Sequence, residues 1–387
     1  MATIIKAAHG DNRGVVTFTT QERDQVILRD DRVKRQLADL KGRWIVGLHH
    51  NWHDDGFRYD PLFDFSMAGE GDLREAEGRP FPLIPMDACN FSPAVFKQGG
   101  EDKFWDVLFV ARPVGFKGFD HLFETIRGLY DRNHLFRVLC IAPVPPEHQK
   151  DEISGNARAS YESMFSGAER HRFTLLTLGF DYPFPFDLET LAHFYRSSRV
   201  FAHFAPDERR CRVAAYAWAA GLPVVGSSAV GSLLPAALQT EPFFFAVNQF
   251  REFGDRIIDA VEVARTAILD FDAPRRQVSV EFTRDALKLE LSGRFPEIGT
   301  SAEGYALEGL DIRLGRHHGL DAGRNAIPFS VADLIDLLAN REEMARDAVS
   351  SSEDPELRLA IKPEARMANK TRTADQSPSR FRRLLER

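Results

Sequence analysis

The chain has 387 residues, enough for two packed domains of roughly 100–200 residues each. Its 43% apolar and 28% charged residues exclude wholesale disorder and a fibrous repeat, and 50 basic against 57 acidic residues exclude a global basic field for nucleic acid. Three scattered cysteines, Cys89, Cys140 and Cys211, make no disulfide framework. With no apolar run of signal-peptide or membrane-span length, they fit a soluble protein of the reducing cytoplasm.

In chain order, residues 15–18 and 44–48 read as strands, and the apolar spacing of 30–40 predicts a helix between them. Residues 54–82, rich in Gly, Asp, Glu and Pro, read as one long loop. Residues 1–95 therefore suit a small α/β domain. From 96 to 250, short apolar runs alternate with amphipathic segments. Strands are predicted at 106–110, 136–141, 173–178, 200–204, 222–226 and 243–247. Phe119, Leu122, Phe123, Ile126, Leu129 and Tyr130 recur at helical spacing, and Asp187 is placed to cap a helix carrying Leu188, Leu191, Ala192 and Tyr195. An alanine-rich helix follows at 213–220. This alternation implies a parallel sheet with helices on both faces. Residues 251–349 read as helical, with apolar periodicity at 253–268, 286–291 and 331–344. Either the first domain is trimmed, or this part packs back on it. From 350 to 387 the periodicity fades; residues 362–387 hold eight basic and three acidic residues, a disordered basic tail by composition.

Two stretches of the middle region carry chemistry. Val110-Ala111-Arg112-Pro113-Val114-Gly115-Phe116-Lys117-Gly118 runs from a strand end through two cations into a helix. Further on, Val200-Phe201-Ala202-His203-Phe204-Ala205-Pro206 precedes Glu208, and Tyr216-Ala217-Trp218-Ala219-Ala220-Gly221-Leu222-Pro223-Val224-Val225 starts eight residues after it. This order resembles the C-terminal half of a GT-B glycosyltransferase, of the retaining group with a Glu–seven residues–Glu motif. Ile84 to Phe91 resembles the linker into that half, and the resemblance covers about residues 82–235. It implies two Rossmann-like domains and transfer of a sugar from a nucleotide-sugar donor to a glycan, lipid-linked or protein acceptor, a step of glycan biosynthesis. The transfer would retain anomeric configuration without a metal or other cofactor.

A departing diphosphate gains charge in the transition state, which fixed cations must meet. Arg112 and Lys117 lie where open α/β sheets bind ligands, and are expected to clamp it without being needed by the core. A helix starting near Glu208 would add its positive end. By resemblance, Glu208 would contact the donor sugar. The second glutamate of the motif is replaced by Tyr216, and the usual glycines by Arg209-Arg210-Cys211. The two arginines imply either a donor with an extra anionic group or a rebuilt pocket, and at least one of Arg209 and Arg210 is expected to face ligand phosphate or carboxylate, with Tyr216 in the ribose position. The amides of 228–232, Gly231 and Ser232 among them, are expected to face the phosphates.

On the acceptor side, His49, His50 and His53 form the densest polar cluster. They read as substrate-facing or as packing residues. The spacing of His49 and His53 also suits zinc, but no third ligand of matching spacing accompanies them. Residues 379–385 offer a short basic amphipathic helix for weak peripheral contact with an anionic membrane, the alternative being a solvated tail. The competing reading of the whole chain is a catalytically silent nucleotide-sugar-binding or scaffold protein. No Walker-type phosphate loop occurs.

Overall fold

The computed structural model describes residues 2–50, 60–69, 75–76, 79–80, 82–97, 99–144, 152–179, 187–299, 304–307, 309–314, 331–332, 334–335 and 338. Met1–Ala332 form one compact unit and Asp333–Arg387 another. Both main sheets belong to the first. The sequence expectations for His53, for the tail and for most of 331–344 lie outside the described residues.

The first sheet is built from β1 (Thr3–Lys6), β2 (Gly14–Thr19), β3 (Trp44–His49), β4 (Phe65–Met67) and, beyond a small antiparallel pair β5 (Glu75–Ala76) and β6 (Arg79–Pro80), β7 (Leu83–Ile84). Its order is β1-β2-β3-β4-β7; β1 runs antiparallel to β2, and the other pairings are parallel. Helices α1 (Thr20–Gln25) and α2 (Asp31–Leu40) make the crossover from β2 to β3. A capping box starts α1: the Glu22 amide donates to Thr19 Oγ1, and the Thr19 amide donates to the Glu22 carboxylate. The single loop expected over 54–82 is corrected by β4. Three residues, Phe65-Ser66-Met67, are too few to show a period, yet all are buried in the sheet.

The second sheet follows the predicted alternation. Its strands are β8 (Trp105–Val110), β9 (Val138–Val144), β10 (Phe173–Gly179), β11 (Ser198–His203), β12 (Val224–Ser227) and β13 (Phe244–Val247). All neighbours are parallel, in the order β10-β9-β8-β11-β12-β13. Counted from β8, this is 3-2-1-4-5-6, the order of dinucleotide-binding sheets, and it reverses between β8 and β11. The connections carry α3 (Phe119–Asp131), α4 (Glu152–Met164), α5 (Gly167–Arg170), α6 (Leu188–Arg196), α7 (Arg212–Ala219) and α8 (Ser228–Gly231). Alternate residues of each strand serve opposite faces. Leu108, Val110 and Phe201 pack with Tyr195 and Trp218; Val107, Phe109 and Ala202 pack with Phe123 of α3 and with Ile257 of α9 (Phe253–Thr266).

After α10 (Asp272–Val278), α11 (Val280–Arg294) returns to the first sheet. Leu287, Leu291, Phe295 and Ile298 share a core with Ile5, Val15, Ile45 and Phe65, as does Leu310, the first residue of α12 (Leu310–Arg313). The rings of Phe65 and Phe295 lie 5.6 Å apart. Lys6 Nζ donates to the Ile298 carbonyl at 2.6 Å, and the Ala306 amide to the Ile5 carbonyl at 2.9 Å. Among the described residues no helix is long and apolar enough to cross a membrane.

The two loops at the order reversal touch at Gly118. Its φ is +72°, and a Cβ there would lie 2.7 Å from the Phe204 carbonyl oxygen. Gly128, inside α3, has open space where a Cβ would go. Gly118→Ala is expected to destabilise the fold by about 2–4 kcal/mol through strain and backbone contact. Gly128→Ala is expected to stabilise it by about 0.5–1 kcal/mol. Urea unfolding of both variants checks the contrast; equal shifts would mean that the loops do not approach as closely as described.

Candidate functional site

At the carboxyl end of β8 the chain leaves the sheet through a tight turn, Gly115–Lys117, before α3 begins. At the carboxyl end of β11 it leaves through Phe204 to Arg210 before α7 begins. The turn carries Lys117 and the loop carries Glu208, which meet with Lys117 Nζ 2.5 Å from Glu208 Oε1. Both are buried, at 8% and 7% exposure, so this is not a surface pair. The other carboxylate oxygen, Glu208 Oε2, lies 2.6 Å from His203 Nε2. His203 is the last residue of β11 and is fully buried, with ring centroids 6.4 Å from Phe109 and 6.2 Å from Phe201.

Burial opposes ionisation of Glu208, but the hydrogen bond and charge of His203, with the Lys117 ammonium, outweigh it and hold the carboxyl at about 2. Burial likewise opposes the charged form of His203. Cys211 and Glu208 outweigh it and raise the imidazole to about 9. The result is a line of alternating charge: ammonium, carboxylate, imidazolium.

These positions revise two expectations. Lys117, expected to be dispensable to the core, is buried; a buried ammonium needs a counter-ion, and Glu208 supplies it. Arg112 is exposed. Nor does a helix start near Glu208, because α7 begins at Arg212 with Cys211 as its N-cap residue. Its first turn lies beyond the carboxylate.

The arginines differ in setting. Arg209 is exposed, whereas Arg210 is 7% exposed and holds the left-handed region at φ +48°. Arg210 Nε donates to Asp87 Oδ2, and a terminal nitrogen of the same guanidinium donates to Asn90 Oδ1. Asp87 Oδ1 in turn accepts the Cys89 amide at 2.7 Å. The Cys89 thiol donates to the Arg210 carbonyl, and burial pushes that thiol well up. The arginine stem passes Gly69, just beyond β4, so closely that a Cβ there would stand 1.9 Å from Arg210 Cδ. The carboxyl ends of β4 and β11 therefore meet at this side chain.

Tyr216 is 6% exposed and stacks on Phe96 with centroids 4.2 Å apart, inside the core of one sheet face. The stretch expected to turn its amides outward forms α8, where Gly231 lies under the Phe244 ring. The Arg210 amide donates to Ser232 Oγ at 3.4 Å. His49 and His50 are buried at the carboxyl end of β3, with His50 Nε2 3.4 Å from Ser66 Oγ.

The sequence alone does not single out His203, Asp87 or Cys211 as site residues. His203 and Cys211 flank Glu208 within nine residues. That spacing was visible, but a strand-end histidine is ordinary until the loop brings a carboxylate to it.

No protein-family model matches the chain, and no curated protein sequence does. Among solved structures it is similar to an α,α-trehalose 6-phosphate synthase from Burkholderia multivorans, at 15% identity over 68% of this chain and 70% of that one, with a TM-score of 0.41. It is also similar to a glycosyltransferase from Rickettsia africae, at 8% identity over 74% and 98% of the two chains, with a TM-score of 0.42. A third is the pneumococcal O-GlcNAc transferase GtfA in complex with UDP and GlcNAc, at 11% identity over 72% and 55%, with a TM-score of 0.43.

The Arg210 network sets an expectation of its own. Arg210→Met strands a buried carboxylate and should cost about 3–5 kcal/mol. Adding Asp87→Asn removes that charge while leaving an oxygen for the Cys89 amide. The double variant should therefore recover about 1–3 kcal/mol relative to the sum of the single changes. A denaturation double-mutant cycle with no coupling energy would show that the two groups are not paired.

Proposed function

We propose that this protein is a glycosyltransferase of GT-B type that binds a nucleotide-sugar donor at the carboxyl ends of β8 and β11. The observation that carries the reading is the meeting of Lys117, Glu208 and His203 where the order of a six-stranded parallel sheet reverses. Open α/β sheets take their ligands at that point. A lysine there suits a departing diphosphate, and exposed Arg112, five residues earlier, adds a planar fork for phosphate oxygens. The resemblance carried by the Arg112–Lys117 turn and by the Glu208 to Val225 segment points the same way.

In the resting arrangement Lys117 is engaged by Glu208. Arrival of the diphosphate gives the ammonium a second anion, and Glu208 is then placed for the sugar hydroxyls. His203 keeps the carboxylate ionised and oriented through Oε2. His49 and His50, on the first sheet, line the acceptor side. Transfer proceeds with retention to a glycan, lipid-linked or protein acceptor.

A second reading, a silent donor-binding scaffold, is favoured by one observation. Tyr216, in the place of the second motif glutamate, is stacked in the core on Phe96. Binding of a nucleotide sugar without any release of free nucleotide would select it.

The test is calorimetric titration of uridine, guanosine and adenosine diphosphates into the wild-type chain and two variants. Loss of one charged hydrogen bond should weaken binding roughly 10- to 150-fold in Arg112→Ala and in Lys117→Met. Arg112→Ala should melt as wild type does. Lys117→Met should also lower the melting temperature, because Glu208 stays buried without its cation. Unchanged affinity in both variants would place the donor site elsewhere.

A further inference from the structure

We propose that His203, Glu208 and Cys211 form a binding site for a thiophilic divalent cation of the zinc type. The three side chains are buried, and one ligand atom from each lies within 4.8 Å of the others. They come from one nine-residue stretch whose ends are fixed, His203 by the sheet and Cys211 by the start of α7. An imidazole nitrogen, a carboxylate oxygen and a thiolate are a mixed set that suits zinc, and three of them leave a fourth position for water.

The hydrogen-bonding pattern argues for a cation. Glu208 Oε2 stands 2.6 Å and Cys211 Sγ 3.6 Å from the same atom, His203 Nε2. One ring nitrogen carries at most one proton, so it serves one of these acceptors and not both. A cysteine–histidine–carboxylate relay is ruled out too, since that needs the two partners on opposite ring nitrogens. Nδ1, the nitrogen such a relay would use, has no hydrogen-bond partner among the described residues. A cation in place of the shared proton serves all three ligands at once.

The spacing agrees. Zinc holds nitrogen at about 2.0 Å and thiolate sulfur at about 2.3 Å, so tetrahedral neighbours stand about 3.5 Å apart, close to the observed Nε2–Sγ distance. The Nε2–Oε2 pair, at hydrogen-bond length, opens as the proton leaves. Lys117 stays on Oε1 and holds the carboxylate with its other oxygen free to ligate. With a thiolate and a carboxylate as ligands, the Cys211 and Glu208 charges balance a divalent cation.

Cobalt(II) is the probe, added to the full chain after chelator treatment and without external thiols. A one-to-one complex with a near-ultraviolet thiolate-to-cobalt absorption, displaced by zinc, is the expected result. Cys211→Ser should abolish the absorption, and His203→Gln should weaken cobalt binding at least tenfold. Cys140→Ala, changed in the opposite sheet face, should keep both. Zinc should raise the melting temperature of wild type and not of Cys211→Ser. No thiolate absorption from folded wild-type protein in excess cobalt overturns the proposal. So does an absorption that survives in Cys211→Ser. If Cys211→Ser does not fold, wild-type affinity in His203→Gln overturns it equally. None of these readouts involves a sugar donor, so the outcome is separate from that of the donor titration.

Discussion

A lysine ammonium removed from water has to find an anion, and the arrangement at the sheet reversal follows from that requirement. Lys117 meets Glu208, and Glu208 meets His203 on its other oxygen. Two like charges never touch, because the carboxylate stands between the cations. Each contact also fixes a backbone: one belongs to the turn after β8, one to the loop after β11, one to the last residue of β11 itself. Buried ion pairs contribute little net stability beside well-packed apolar groups. What they supply is position. A loop held by such a pair has few alternatives, and the Gly118–Phe204 approach holds the same two loops through their backbones.

The second network does for the two sheets what the first does for the two loops. Arg210 occupies a left-handed backbone conformation that its side-chain partners must sustain. Asp87 and Asn90 belong to the connection after β7, and Asn90 Nδ2 also donates to the Gln277 carbonyl at 2.7 Å. The linker, the β11–α7 loop and the end of α10 are therefore joined through a handful of polar atoms. The carboxyl ends of the strands, where the chemistry is proposed, sit beside the joint rather than across a free hinge.

The second sheet was readable because its strands are continuous apolar runs and its helices show clean 3.6-residue spacing. Phe119 through Tyr130 is the plainest example, and all six of its apolar positions are buried. Glu208 and Lys117 could be named from spacing, but not their pairing, which depends on how two loops far apart in the chain, one after β8 and one after β11, come together. The first sheet was harder. β4 and β7 have three and two residues, and no periodicity survives at that length. The buried setting of Arg210 is not legible locally for a related reason. Its partner Asp87 lies 123 residues earlier, and nothing local distinguishes an arginine bound for a buried carboxylate from one bound for solvent.

The return of α11 to the first sheet bears on the order in which the molecule can be made. The core around Ile5, Val15 and Phe65 is closed by Leu287, Leu291 and Phe295, more than 200 residues downstream of β4. Strands β8 to β13, by contrast, meet partners within a continuous stretch ending at Val247. On a ribosome the later sheet is thus free to assemble while the earlier one still lacks a face. Chains emerging with exposed strands and no cover are the ones most prone to pair wrongly with one another. The first sheet must then wait for α11, and its strands stand uncovered for the whole interval between the two.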